Sequence, residues 1–211
     1  MSTMTVDSPE TRRVEVIAAP GPADPAPLGL AGFALTTFLL SLANATLTRG
    51  SGAEWLGPAL AYGGACQLLA GMWEFKNRNV FGATAFSTYG GFWIALATYV
   101  LVVAPQKGAD VTNDLAWFIA AFAIFNSYML VWSLFVNKAV FGVFLTLEVT
   151  EILYFIGQFT STENVIIASG AAGILTAAVA WYTSAAGVIN GMAGRHVLFV
   201  GRPLSLVRRA A

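Results

Sequence analysis

The sequence contains little charge and few residues of the reactive kinds. Only 10% of its 211 residues are charged, and it has one cysteine and one histidine. The single cysteine, Cys66, excludes an intramolecular disulfide bond and any metal site built from cysteines. Because Cys66 lies in an apolar run, it is typical of a small buried side chain rather than a reactive thiol. We therefore expect no cofactor and no metal site.

Two further absences exclude whole classes of function. Eleven basic and eleven acidic residues leave no net charge, and no basic stripe is present that could contact nucleic acid. The sequence has no nucleotide-binding glycine loop and no nucleophile paired with a base. The only histidine, His196, follows the last apolar run beside Arg195, where a solvated position is expected. We therefore predict that the protein is not an enzyme and does not bind nucleic acid.

Apolar residues are what the chain has in abundance, at 57% of the sequence with a mean hydropathy of +0.69. They form six runs of roughly 19 to 25 residues, the length of helix that crosses a hydrocarbon core of about 30 Å. These runs lack the alternation of transmembrane barrel strands. The pattern predicts an all-α integral membrane protein with six transmembrane helices. The runs are Leu28–Leu47, Trp55–Phe75, Ala83–Ala104, Leu115–Val136, Ala139–Gly157 and Val165–Ile189.

Basic residues predict the orientation of these helices, because Lys and Arg near helix ends are retained in the cytoplasm. Only Arg49 and Lys107 lie on one side of a six-helix topology. We expect both termini in the cytoplasm, and a multi-pass protein of the plasma membrane, the inner membrane if the source is bacterial. Residues 1–22 are predicted to be a disordered cytoplasmic tail, 23–190 the transmembrane domain and 191–211 a cytoplasmic tail. The basic residues of the cytoplasmic side are Arg12, Arg13, Lys76, Arg78, Lys138, Arg195, Arg202, Arg208 and Arg209.

The stretch from Asp24 to Asn44 joins the polar tail to the first apolar run. Pro25 and Pro27 predict an extended start, because a proline disfavours helical dihedrals in the residue before it, and Leu28 can then begin a helix. A polar stripe follows at steps of three and four, which places its members on one helix face. The stripe consists of Phe33, Thr36, Thr37, Leu40, Ser41 and Asn44.

Two carboxylates, Glu148 and Glu151, lie three residues apart in the fifth run, which has no basic residue between Ala139 and Gly157. Burial and mutual repulsion both favour a bound proton on such a pair, so both residues are candidate proton carriers. The alternatives are pairing with buried donors, or a position of Glu148 between subunits. In the second run, Glu74 is close in sequence to Lys76 and Arg78, and this favours an interfacial ion pair.

Two stretches resemble a known family: DPAPLGLAGF from Asp24, and YGGACQLLAGMWEFKNRNVFGATAFSTYGGFW from Tyr62 to Trp93. Both closely resemble the acetate uptake transporter, or succinate/acetate permease, family. The signature of that family is NPAPLGL, and this chain has an aspartate where the signature begins with asparagine. The signature positions are Asp24, Pro25, Pro27, Leu28, Gly29 and Leu30.

The resemblance implies a six-helix protomer, a homo-hexamer embedded in lipid, and one path through each protomer for acetate and other small monocarboxylates, sometimes succinate. It implies a hydrophobic constriction at Phe33, Tyr89 and Leu147. Such a constriction suits acetate, whose methyl group tolerates apolar contact while its carboxylate needs hydrogen-bond donors nearby. The donors that we expect to bind substrate are Thr36, Thr37, Ser41, Asn44 and Gln67.

Alternative functions remain open from the sequence. The path could carry ammonia or another small neutral solute, and the chain could be a receptor or structural hexamer that conducts nothing. The residues are compatible with a channel and with proton symport.

Overall fold

The computed structural model describes residues 21–106 and 108–204, and all regular secondary structure within them is helical. The helices are α1 (Ala26–Asn44), α2 (Leu56–Leu60, a π-helical turn Ala61–Cys66, and Gln67–Lys76), α3 (Val80–Thr98, continued by a π-helical turn Tyr99–Val103), α4 (Val111–Ser133), α5 (Lys138–Phe159) and α6 (Glu163–Ala193). Each predicted apolar run coincides with one of them. The predicted all-α fold class is confirmed.

Five of the helices, all except α2, are by length and composition able to cross a membrane. The helix α2 is divided by its π-helical turn into segments of 5, 6 and 10 residues that follow one another without a break. A π turn holds one extra residue and is common near functional sites. Here it precedes Gln67, which lies on the inside of the protein.

Side-chain caps begin three of the helices. The backbone N–H of Gly82 donates to Asn79 Oδ1 (3.0 Å), that of Asn113 to Asp110 Oδ1 (3.2 Å) and that of Val140 to Asn137 Oδ1 (2.8 Å). Each bond satisfies a donor that the first turn leaves without an intrahelical partner. Short polar turns therefore suffice to end one apolar helix and begin the next.

The predicted start of α1 is wrong. The helix begins at Ala26, and Pro25 adopts φ −82° and ψ −11°, close to helical values. Pro27 is accommodated because the first turn of a helix needs no N–H donor. Asp24 Oδ1 accepts a hydrogen bond from the backbone N–H of Ala26 (2.9 Å). An asparagine oxygen could accept the same bond, so the aspartate preserves this contact.

The helices form a ring in which α1 packs on α2 and α6, α6 on α5, α5 on α4, and α2 on α3, with a lighter contact between α3 and α4. Small residues bring the helix backbones together. Gly170 of α6 lies against the backbone at the end of α1, at Ser41 and the following Ala45, and Gly90 of α3 lies against the backbone of α2 at Leu68. Close approach of this kind holds helices together in lipid, where burial of apolar surface supplies no drive.

One end of the ring, which we call the inner end, carries the start of α1. Ser184 Oγ of α6 donates to Pro27 O (2.6 Å), so the last turns of α6 lie beside it. Residues 194–204 run back over this end, where the backbone N–H of Ala139 donates to Val200 O (2.9 Å). The described basic residues of the predicted cytoplasmic side lie at or near this end, whereas Arg49 follows α1 at the other, outer end. The cytoplasmic location of the inner end stays a prediction.

Several sequence predictions fall on residues outside the described part of the chain. These are most of the predicted N-terminal tail (1–20), the end of the C-terminal tail (205–211), and the basic residues Arg12, Arg13, Lys107, Arg208 and Arg209.

We predict that Gly90→Ala lowers the thermal unfolding midpoint of the detergent-solubilised protein, measured by tryptophan fluorescence. A Cβ at Gly90 would lie 2.6 Å from Leu68 N and 2.8 Å from Leu68 Cα, backbone atoms that cannot yield as a side chain could. Overpacking of this kind costs about 1–3 kcal/mol. Gly91→Ala is the matched control, because a Cβ there meets no heavy atom within 4 Å. Equal midpoints for the two variants would contradict the close packing of α2 on α3.

Candidate functional site

Two cavities that matter for function lie within the described part of the helix ring. The inner cavity, of about 70 Å³, lies toward the inner end and is lined by Ala26, Glu74 and Asn79 among others. The outer cavity, of about 80 Å³, lies toward the outer end beside Asn44 and Trp55. A single water molecule needs a cavity volume of about 10–15 Å³. Each cavity therefore has room for a molecule of several non-hydrogen atoms.

Phe33, Tyr89 and Leu147 line both cavities and lie between them. All three are buried, with exposed fractions of 4%, 3% and 6%. The Phe33 and Tyr89 rings meet edge to face with their centroids 5.7 Å apart. Helices α1, α3 and α5 thus bring one large side chain each to the same level of the ring.

The predicted substrate-binding residues are divided by the structure. Thr37, Ser41 and Asn44 line the outer cavity, and Gln67 lines the inner one. Thr36 lines neither cavity: it is fully buried, its hydroxyl donates to Gly32 O (3.0 Å), and it packs against Gly63 in the π turn of α2.

The predicted carboxylate pair is also divided. Glu151 lines the outer cavity and is 4% exposed. Its Oε1 accepts from the Tyr89 hydroxyl (3.3 Å), whereas its Oε2 has no hydrogen-bond partner. Glu148 is half-buried, lines neither cavity and faces α4. There it accepts hydrogen bonds from Asn126 Nδ2 and Ser127 Oγ, both at 2.6 Å.

Asn126 is a site residue that the sequence reasoning missed. It is fully buried in α4, and its Oδ1 accepts from the Tyr89 hydroxyl (3.1 Å). Its Nδ2 donates to Phe144 O (3.0 Å) as well as to Glu148. A lone amide within an apolar run was the available signal, because such a group is costly in a membrane without a partner.

The interpretation of Glu74 as an interfacial ion pair is wrong. Its side chain is fully buried and lines the inner cavity, and the groups beside its carboxylate are the amides of Asn79 and Asn77 rather than Lys76 or Arg78. Gly82 leaves room for it, since a Cβ there would lie 2.6 Å from Glu74 Oε1. The signal was the seven-residue spacing from Gln67, which places both side chains on one face of α2.

Polar atoms without a hydrogen-bond partner line both cavities. Among the residues of the outer cavity they are the Thr37 hydroxyl and the indole N–H of Trp93, which can donate, and Glu151 Oε2, which is an acceptor when the carboxyl group is ionised. In the inner cavity the polar atoms that face the space are acceptors, namely Gln67 Oε1 and the carboxyl oxygens of Glu74. Neither lining includes a lysine, arginine or histidine from the described part of the chain.

Comparison with known proteins agrees with this architecture. Residues 11–201 match the GPR1/FUN34/yaaH family. The chain is 36% identical over 182 residues to the succinate-acetate/proton symporter SatP of Escherichia coli K12, which covers 85% of this chain and 95% of that protein. The solved structure of the bacterial acetate channel SatP superposes with a TM-score of 0.80 at 34% identity, covering 85% of this chain and 99% of that one.

A relative from yeast is a longer protein than SatP and is named for a different substrate. The ammonia transport outward protein 2 of Saccharomyces cerevisiae is 39% identical over 184 residues, which is 81% of this chain. The match spans 64% of the yeast protein.

We predict that Glu74→Gln raises the thermal unfolding midpoint in detergent. The substitution keeps the shape of the side chain and removes a fully buried carboxylate that has no cation beside it in the described part of the chain, and burial of a charge without an opposite charge is costly. Glu54→Gln, at an exposed carboxylate of the outer end, is the control and should leave the midpoint unchanged. A lower midpoint for Glu74→Gln would mean that the carboxylate is a stabilising group.

Proposed function

Because this chain belongs to the GPR1/FUN34/yaaH family, we propose that it transports acetate and similar small monocarboxylates, including succinate, across the plasma membrane. The observation that carries the proposal is the pair of cavities inside one helix ring, which share Phe33, Tyr89 and Leu147 as lining residues. The relative from Escherichia coli bears the name of a succinate-acetate/proton symporter, and its substrates are of this chemical class.

In this proposal Phe33, Tyr89 and Leu147 form the constriction of the path. Their buried side chains leave no continuous polar surface between the cavities, so an ion with its full hydration shell is excluded. The methyl group of acetate can contact the Phe33 ring and Leu147 without losing hydrogen bonds. The carboxylate keeps donors on the outer side, where Thr37, Ser41 and Asn44 project from successive turns of α1. Gln67 serves as a polar contact on the inner side.

The inner cavity favours substrate in the acid form. Glu74 and Gln67 present acceptor oxygens there, and the lining has no cation from the described part of the chain to offset a negative charge. An ionised carboxylate beside an ionised Glu74 would be repelled, whereas a carboxylic acid can donate its O–H to either residue. Glu148 and Glu151 are proposed as proton carriers near the constriction, and Glu151 is the one in contact with the outer cavity.

We also propose that six protomers assemble with both termini in the cytoplasm. The path lies within a single ring of helices, so each protomer can conduct by itself. The outward faces of the helices carry large apolar side chains that suit lipid or a neighbouring copy, including Trp117, Ile124 and Val131 of α4. The basic residues at the inner end favour the cytoplasmic side for that end.

Ammonia is the second candidate substrate, and two observations favour it. A yeast relative is named for ammonia transport, and the acceptors of the inner cavity suit a ligand that donates N–H groups. Proteoliposomes that pass labelled acetate faster than protein-free liposomes, but whose internal pH responds to ammonium as that of protein-free liposomes does, would exclude this candidate. The opposite result would replace acetate as the substrate.

We predict that Phe33→Ala loosens selection by size. In proteoliposomes the rate for butyrate relative to acetate should rise about tenfold, which corresponds to a barrier lowered by about 1.4 kcal/mol. Phe38→Ala is the matched control, because Phe38 lies on the same helix, packs against Trp181 with the ring centroids 5.2 Å apart, and lines neither cavity. An unchanged ratio in Phe33→Ala would remove Phe33 from the constriction.

We predict that Glu151→Gln abolishes the pH dependence of acetate uptake while uptake itself continues. Labelled acetate in vesicles with an imposed pH gradient gives the measurement, and accumulation beyond passive acid equilibrium reports coupling. Glu163→Gln, at an exposed carboxylate in the first turn of α6, should keep the wild-type pH profile. A full pH profile in Glu151→Gln would rule out Glu151 as the proton carrier.

A further inference from the structure

The Tyr89 hydroxyl has one hydrogen but lies within hydrogen-bond distance of two acceptors. These are Asn126 Oδ1 at 3.1 Å and Glu151 Oε1 at 3.3 Å. Tyr89 and Asn126 are buried, and Glu151 is 4% exposed. Because one hydrogen cannot serve both acceptors fully, the network is short of one donor.

Asn126 cannot supply that donor, because its orientation is set by its other contacts. Its two N–H groups donate to Phe144 O (3.0 Å) and Glu148 Oε2 (2.6 Å). Exchange of the amide nitrogen and oxygen would bring an acceptor against each of these acceptors. Asn126 Oδ1 therefore faces Tyr89 and depends on the tyrosine hydroxyl for its hydrogen bond.

A proton on Glu151 resolves the shortage. The carboxyl O–H then donates to the Tyr89 oxygen, and the tyrosine O–H donates to Asn126 Oδ1. With Glu151 ionised, the tyrosine O–H turns to the carboxylate, because a hydrogen bond to a charged acceptor is roughly twice as strong as a neutral one. Asn126 Oδ1 then remains buried without a donor, at the cost of an unsatisfied group.

The same pattern recurs on the far side of Asn126. Ser127 Oγ also has one hydrogen and two acceptors, Ala123 O at 2.9 Å and Glu148 Oε1 at 2.6 Å. A chain of hydrogen bonds therefore links Ser127, Glu148, Asn126, Tyr89 and Glu151. Its middle member is an amide that holds both a carboxylate and the tyrosine.

Among the described residues, no cation near the network offsets an ionised Glu151. The titratable side chains around the network are Tyr89 of α3, Tyr128 of α4, and Glu148 and Tyr154 of α5. The helix α1 has no titratable residue, and α6 has Glu163 in its first turn and Tyr182, which donates to Phe199 O (2.7 Å). Lys138 begins α5 thirteen residues before Glu151, about 20 Å along the helix.

We propose that Asn126 is a positioning residue that holds Tyr89 in the constriction, and that Glu151 carries a proton toward Tyr89 in the state described here. The proposal rests on the proposed function for the role of the constriction. When Glu151 releases its proton to the outer cavity, Tyr89 exchanges its bond to Asn126 for one to the carboxylate. The hydrogen bond that joins Tyr89 to Asn126 of α4 thus depends on whether Glu151 of α5 is protonated.

The test is an infrared pH titration of the full-length protein in lipid vesicles. A protonated carboxylic acid has a carbonyl stretch that an ionised carboxylate lacks, and the band of Glu151 is identified by its loss in Glu151→Gln. We expect wild type to show this band at neutral pH. Its absence would overturn the proposal.

Two variants should move the band in opposite directions. Tyr89→Phe removes a hydrogen bond from both forms of Glu151, but the bond to the ionised form is the stronger one, so the band should persist to a higher pH. Asn126→Leu removes the acceptor that competes for the tyrosine hydrogen, so the band should vanish at a lower pH. We expect each shift to be about one pH unit or more, the equivalent of one hydrogen bond to a charged group.

Tyr128→Phe is the matched control, since Tyr128 lies in α4 two residues after Asn126 and is half exposed. In this variant the Glu151 band should titrate as in wild type. If Asn126→Leu fails to fold, the result for Tyr89→Phe decides the test. An unmoved band in that variant contradicts the exchange of the Tyr89 hydrogen bond between Asn126 and Glu151. Shifts of the two variants in one direction would contradict the role of Asn126. The band can be measured whether or not acetate is transported, so failure here is distinct from failure of the proposed function.

Discussion

The lack of hydrogen-bond partners in lipid is the constraint on which this structure depends. In a bilayer each polar side chain must find its partner within the protein or in a water-filled cavity. The helix ring meets this constraint by turning its polar residues inward and its large apolar residues outward. The largest fully buried side chains are accordingly polar: Gln67, Glu74, Asn126, Thr36, Thr176, Ser133 and Ser169.

Most of these inward groups are satisfied locally, and two of the others, Gln67 and Glu74, line the inner cavity. Thr36 and Thr176 donate to carbonyls of their own helices, as hydroxyls in membrane helices often do. Gln67 and Thr37 have polar atoms without partners, and both line a cavity. An unsatisfied buried group costs free energy. Its placement beside a cavity is therefore the expected mark of a group that binds a passing molecule or water.

Two site residues escaped sequence reasoning for different reasons. Glu74 has basic neighbours in the chain, and their proximity in sequence favoured an ion pair. The rotation of the last turn of α2 decides instead, because it directs the carboxylate inward over Gly82. Asn126 has no neighbour in sequence that hints at a role. Its importance comes from Tyr89, 37 residues earlier, and from Glu148, 22 residues later, contacts that exist only once α3, α4 and α5 are packed.

The sequence by itself determined the fold class, the approximate bounds of the helices, and the family. The reason is physical: bilayer thickness sets the length of an apolar run, and short polar turns must separate such runs. Only the tertiary structure decided which polar residue meets which cavity, since a helix that is apolar on most sides can be rotated about its axis with little effect on its sequence pattern. Packing against neighbouring backbones, as at Gly90 and Gly170, chooses one rotation. That choice brings Phe33, Tyr89 and Leu147 together between the cavities, turns Thr36 away from them, and links Tyr89 to Asn126 and Glu151.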